Sequence, residues 1–178
     1  MLGDPPTLII RAAREGEYAA VDRLTVRAYR EYAGSIASEM WVAYEADLAS
    51  SEARAEEAVI LVAELADELV GAVAYFPPGD RESGWFPEDS GYFRVLAVLP
   101  EHRSQGIGRR LTQACIERAQ ADGANALGLM TTELMMVAKG MYERMGFVQQ
   151  AEYEGVAGGK FWLYSLLLEK ANLRDRRG

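Results

Sequence analysis

The sequence is poorest in the residues that carry redox and metal chemistry. It holds one cysteine, Cys115, and one histidine, His102, in 178 residues. A single cysteine forms no internal disulfide, and the two residues together build no zinc cluster, so no metal is expected. A serine or cysteine nucleophile activated by histidine would have to use His102 alone. Long apolar runs are missing as well: none approaches the ~20 residues that a membrane helix needs. Met1 to Thr7 lack the basic start and apolar core of a signal peptide. The expectation is a cytoplasmic protein without membrane contact. Positive charge is scarce, with 19 Lys and Arg against 27 Asp and Glu and a formal net charge of −8. That argues against nucleic acid as a partner. An acidic field suits cationic substrates such as amines, although net charge serves solubility first.

The remaining composition, 49% hydrophobic and 26% charged, is ordinary for a folded domain. The length suits a single domain over 1–178, with its core at about 8–168. The polar tail from Arg174 to Gly178 is expected to fray. Residues 8–12 read as an opening strand. A helix over 15–32 puts Tyr18, Val21, Leu24 and Ala28 on one face. A second over 38–49 carries Met40, Trp41, Tyr44 and Leu48. The β-rich runs 58–63 and 69–76, with a short acidic join, read as an antiparallel hairpin ended by Pro77-Pro78-Gly79-Asp80. After a loop over 81–90 comes a strand over 92–98, broken by Pro100. A helix over 108–121 turns Leu111, Ala114, Cys115 and Ala119 inward. A strand follows at 126–130. Thr132 can cap a helix that buries Leu134, Ala138, Met141 and Met145. Strands at 147–153 and 160–168 finish the chain. This order gives a mixed α/β sheet flanked by helices, neither a repeat protein nor a doubly wound Rossmann fold.

The chemistry concentrates at Val98-Leu99-Pro100-Glu101-His102-Arg103-Ser104-Gln105-Gly106-Ile107-Gly108-Arg109-Arg110. A strand ends there, a turn follows, and a helix starts at a glycine-rich loop. Glycines let a bulky anion approach the backbone. The first amides of the helix have no internal acceptor, and the helix dipole favours negative charge beside them. Arg103, Arg109 and Arg110 add positive charge in an acidic chain. A pyrophosphate suits this site. No Gly-Lys-Ser/Thr ending makes it a P-loop, and Leu111 stands where a dinucleotide fingerprint needs its third glycine.

The segment resembles motif A of the GNAT superfamily of N-acetyltransferases, Arg/Gln-x-x-Gly-x-Gly/Ala, at Val98, Pro100, Arg103, Gly106, Ile107 and Gly108. Ala138-Lys139-Gly140-Met141-Tyr142-Glu143-Arg144-Met145-Gly146-Phe147 resembles the family's second signature, A-x-x-x-Y-x-x-x-G-F. The resemblance implies a mostly antiparallel sheet splayed at a cofactor cleft, and acetyl-CoA as co-substrate. It implies that Leu96, Ala97 and Val98 line the pantetheine arm, and that amides of Arg103, Ser104, Gln105, Gly106, Ile107, Gly108 and Arg109 hold the pyrophosphate. It implies direct attack by an amine, an amide near Val98 stabilising the oxyanion, and Tyr142 as the acid for the departing thiolate. A phenol with a pKa of about 10 remains protonated at neutral pH and can donate to a thiolate. One departure stands out: Met135 occupies a position where the family often has a cofactor-supporting Asn.

The general base stays open. Glu88 and Asp89, just before the central strand, are candidates and equally solvated loop charges. His102 reads as a surface residue of the turn, and Cys115 as a small core residue. Trp41, Tyr44, Trp85 and Phe86 are candidates for the acceptor wall or for the core. The expected acceptor is a small cationic amine. A protein N-terminus or lysine, a non-catalytic acyl-CoA sensor and a plain nucleotide binder are the alternatives. An exposed strand edge leaves room for a homodimer.

Overall fold

The computed structural model describes residues 7–79, 84–155 and 159–169. Asp80, the first part of the 81–90 loop and the tail at 174–178 lie outside the described residues. The chain is a mixed α/β fold of seven strands with flanking helices, as expected. It divides into two compact units, one of residues 1–76 and 93–114, the other of 77–92 and 115–178.

In the first unit the strand order is β1 (Leu8–Ala12), β2 (Val59–Leu65), β3 (Glu68–Phe76) and β4 (Ser90–Val98), of which 93–98 belong to this unit. β1 runs antiparallel to β2, with Leu8 opposite Leu65, and β2 antiparallel to β3, with Val59 opposite Tyr75. The hairpin turn is Ala66-Asp67, both residues left-handed at φ 51° and 65°. That two-residue geometry matches the twist of the paired strands. β3 is buried almost end to end, from Val70 to Phe76, which explains why its sequence is a continuous apolar run rather than an alternating one.

Helix α1 (Tyr18–Tyr29) packs on β3 and buries Val21, Leu24, Thr25, Ala28 and Tyr29. The helix expected over 15–32 is trimmed at both ends into 3-10 turns, Glu15–Glu17 and Arg30–Ser35. At its start the Glu17 carboxylate accepts from the Arg14 backbone amide at 2.8 Å and from Arg11 of β1 at 2.7 Å. The side chain that would continue the helix backwards is thus tied to the strand. α2 (Ser38–Leu48) buries Leu48 but leaves Met40 and Val42 exposed. A short helix, α3 (Ser51–Arg54), follows. α4 (Ile107–Ala121) begins in this unit, with Ile107 and Leu111 buried.

In the second unit the strand order is β5 (Ala126–Thr132), β7 (Lys160–Leu167) and β6 (Val148–Glu154), all pairs antiparallel. Here α4 ends, burying Cys115, Ile116 and Ala119. α5 (Met136–Arg144) starts later than expected. Thr132 does not cap it: its hydroxyl takes the Leu134 amide and its carbonyl the Met135 amide, which makes a separate turn. Leu134 is therefore exposed, contrary to the helical face read for it, and Tyr142 is the buried residue of α5.

Arg11, Glu17 and Glu64 form one network at the β1–β2 edge. Hydrogen bonds from Arg11, then from the Arg14 amide, push the Glu17 carboxyl down to about 2 from its ordinary 4.5. The unfolded chain therefore binds more protons between those two values. The stabilisation is complete above about pH 4.5 and is lost as pH falls towards about 2. Urea midpoints recorded down that range should drop for the wild-type chain. They should drop less steeply for Glu17→Gln, which starts from a lower stability.

Candidate functional site

The site of interest in the first unit starts with a backbone irregularity. Within β4, Val95 has φ 58°. A β-branched residue in the left-handed region is a true outlier, with a cost of about 1–3 kcal/mol. Its surroundings hold it there: Phe93 and Ala97, two residues away on either side, are both buried, and the Tyr29 hydroxyl donates to the Leu96 carbonyl at 3.0 Å. The sequence carries no sign of this feature, since valine is a good strand former with no preference for positive φ.

After β4, Pro100 opens a 3-10 turn through His102. The Leu99 amide bonds the Val70 carbonyl at 3.0 Å, fastening the strand end to β3. His102 and Arg103 close the turn through their amides, bonded to the Leu99 and Pro100 carbonyls at 2.9 and 3.3 Å. Arg103 is extended, Ser104 is left-handed at φ 59° and Gly106 at φ 77°, and α4 begins at Ile107. Two left-handed residues ahead of a helix turn successive amides towards one concavity, the arrangement that cradles anions. Ser104, Gln105 and Gly106 are exposed, as is Arg109. The Gln105 side chain braces the turn against the Glu101 carbonyl at 3.4 Å.

The floor of this turn is Gly71 on β3. A Cβ there would lie 3.0 Å from the Ala97 carbonyl oxygen, 3.1 Å from Leu111 Cδ1 and 3.2 Å from Ile107 Cγ2. Only a glycine lets β4 and the first turn of α4 come this close.

Arg103, expected to contact the pyrophosphate, reaches three groups of the protein through its side chain. Its Nη2 donates to the Ala28 carbonyl at 2.9 Å, its Nε to the Val98 carbonyl at 3.3 Å, and its Nη1 lies 2.7 Å from Glu31 Oε1. Both its amide and its guanidinium already have partners within the protein.

Over this region stands an aromatic group. The ring of Tyr29 meets Tyr32 at 5.9 Å and Tyr44 at 6.0 Å, and Trp41 meets Tyr44 at 6.1 Å, all edge to face. Burial raises the Tyr32 phenol and pushes Tyr44 up to about 12, so both are neutral donors at physiological pH. The nearby carboxylates already pair with arginines: Glu31 with Arg103, Glu45 with Arg30, and Asp47 with Arg54 and Arg94.

The other candidates lie in the second unit. Phe86 stacks on Tyr92, and its ring occupies the space where a Cβ on Gly128 would sit, so it packs on β5. Trp85 meets Tyr153 and Phe161 at 5.3 and 5.8 Å. Trp41 and Tyr44 thus share one ring group of the first unit, while in the second Trp85 joins Tyr153 and Phe161, and Phe86 joins Tyr92. Asp89 is a fastener: its carboxylate takes the Asn125 side-chain amide and the Ser90 hydroxyl, and its carbonyl takes the Asn125 backbone amide. The Glu88 carbonyl accepts from the Gly79 amide at 2.9 Å. Tyr142 is buried, with its ring 5.9 Å from that of Phe147. α5 is anchored by Lys139, which bonds Glu143 at 2.7 Å and lies over the rings of Trp162 and Tyr164. Cys115 is fully buried and burial pushes its thiol up, the state of an inert core residue. Among the described residues no cluster of three or more His, Cys, Asp or Glu is placed to hold a metal. No described helix is long and apolar enough to cross a membrane.

The model of the Acetyltransferase (GNAT) family matches residues 10–147. N-acetyltransferase family 8 member 3 of Rattus norvegicus is 32% identical over 92 residues, 52% of this chain and 39% of the relative. The chain thus matches about two fifths of that relative's length. Among solved structures, the paiA N-acetyltransferase of Thermoplasma acidophilum in complex with coenzyme A superposes with a TM-score of 0.71 at 15% identity, over 90% of this chain and 99% of that one. The ribosomal-protein-S18-alanine N-acetyltransferase of Escherichia coli gives 0.66 at 16% identity, over 94% and 98%.

The Gly71 floor makes a direct prediction. Gly71→Ala puts a methyl against the immovable Ala97 carbonyl and should cost ~1–3 kcal/mol, read as a lower urea midpoint at unchanged m-value.

Proposed function

The chain belongs to the GNAT acetyltransferase family, and on that premise we propose that it moves an acetyl group from acetyl-CoA to a primary amine. The observation that carries this is the turn from Arg103 to Gly108, where left-handed Ser104 and Gly106 precede the start of α4. The amides of Ser104, Gln105, Gly106, Ile107, Gly108 and Arg109 hold the pyrophosphate, with Arg103 closing the turn that presents them. Leu96, Ala97 and Val98 line the pantetheine arm. Acetyl-CoA, when bound, supplies an activated thioester. An amide near Val98 offers a preorganised donor to the carbonyl oxygen that gains charge, a contribution on the order of 3 kcal/mol. The neutral form of the amine, its ammonium proton lost to solvent, adds to the carbonyl carbon; as the adduct collapses the C–S bond breaks, Tyr142 gives its phenolic proton to the leaving sulfur, and the proton shed by the new amide nitrogen returns through solvent to the Tyr142 oxygen.

The acceptor we propose is a small cationic amine. The net charge of −8 supports it, and so do the rings of Tyr29, Tyr32, Trp41 and Tyr44, whose faces attract ammonium groups. Carboxylates already paired with arginines add little to that attraction.

A thermal-shift titration tests the cofactor. Saturation at about a hundred times the dissociation constant adds ~2.7 kcal/mol, or roughly 5–10 °C for a chain of this size. The rise is expected with CoA and acetyl-CoA and not with NAD or ATP; no rise with either CoA species removes the proposal. Thiol release across a panel of amines and N-terminal peptides then identifies the acceptor class, and release with none of them favours a non-catalytic acyl-CoA sensor. With an acceptor in hand, Tyr142→Phe should lower kcat by about 10²-fold or more at unchanged CoA affinity; unaltered turnover would take Tyr142 out of the mechanism.

A further inference from the structure

Three links tie the end of α1 to β4 and the turn after it. Tyr29 donates to the Leu96 carbonyl at 3.0 Å, Arg27 pairs with Glu101 at 2.8 Å, and Arg103 spans Val98, Ala28 and Glu31. The Arg27–Glu101 pair is exposed on both sides and contributes little. Arg103 is different. Its fork reaches a carbonyl at the end of β4, a carbonyl in the last turn of α1 and a carboxylate in the 3-10 turn that follows. Ala28 lies in the last turn of α1, where a cation meets the negative end of the helix dipole. Ala28 is buried, and its neighbour Tyr29 carries the ring against which Tyr32 and Tyr44 pack. Three of the five guanidinium N–H donors are committed to these groups, which ties the fork to α1 and to the 3-10 turn after it.

We infer that Arg103 is a positioning residue of the acceptor wall and not a phosphate ligand: it carries the ordering of the 104–109 turn across to the end of α1 and so sets the ring group of Tyr29, Tyr32 and Tyr44. This rests on the proposed binding of CoA at that turn. The residue that heads the anion motif then works on the amine side of the reaction.

Hydrogen–deuterium exchange of the full chain with free CoA tests this without an identified acceptor. In the wild-type chain CoA should slow exchange over 104–110 and also over 28–46. In Arg103→Gln it should slow exchange over 104–110 alone, with exchange over 28–46 about ten-fold faster than in the CoA-bound wild type. The CoA dissociation constant by calorimetry should stay within about two-fold. Arg103→Lys, which keeps a charge for Glu31 and a donor for Ala28, should restore part of the protection over 28–46. Glu31→Gln alters only a half-exposed carboxylate and gives the same reading, in weaker form, should Arg103→Gln fold poorly. Failure of CoA to protect 104–110 in the wild-type chain sinks the cofactor reading itself. Protection of 104–110 with none over 28–46 overturns the inference alone. So does protection over 28–46 that survives in Arg103→Gln and Glu31→Gln, or a ten-fold loss of CoA affinity in Arg103→Gln.

Discussion

The close approach at Gly71 governs the geometry of the first unit. A carbonyl of β4 and two side chains of α4 lie where a Cβ would be, all within 3.2 Å of it. With the Leu99 amide bonded to Val70, β3 fixes both the end of β4 and the beginning of α4. The turn between them has no freedom left except in its own dihedrals, and Ser104 and Gly106 take the left-handed values that aim its amides. A turn built this way is preorganised: its cost in strain and order is met during folding.

The strain at Val95 belongs to the same design. A left-handed valine inside a strand persists only where its neighbours over-determine it, and here buried Phe93 and Ala97 flank it while Tyr29 holds the Leu96 carbonyl. Tyr29 also belongs to the ring group with Tyr32, Tyr44 and Trp41. One side chain thus takes part in both the strand β4 and the ring group. Arg103 repeats that double attachment one turn away.

In the second unit the same economy appears around α5. Lys139 bonds Glu143 and caps two rings, while the Tyr164 hydroxyl bonds Glu143 at 2.9 Å. Hydrogen bonds from Lys139 and from Tyr164 lower the Glu143 carboxyl. These contacts fix the rotation of a nine-residue helix that is too short to be stable alone, and with it the direction of Tyr142.

The element order, the hairpin of β2 and β3, the glycine-rich turn before α4 and the two signatures around Gly106 and Tyr142 were all legible in the sequence. Each of these is local: apolar periodicity, a two-residue join, a strand–loop–helix spacing. It did not reach what depends on contacts distant in the chain. The left-handed Val95 is imposed by neighbours, since valine's own preference is for extended backbone. The direction of Arg103 is decided by Ala28 and Glu31, more than seventy residues earlier. The grouping of the aromatics follows the same rule: Trp41 and Tyr44 join Tyr29, whereas Trp85 joins Tyr153 and Phe161. Leu134 failed as a core residue because Thr132 bonds the backbone ahead of the helix and keeps Leu134 in a turn. Periodicity reports which residues can share a face, but only tertiary packing decides which backbone conformations and which partners are enforced.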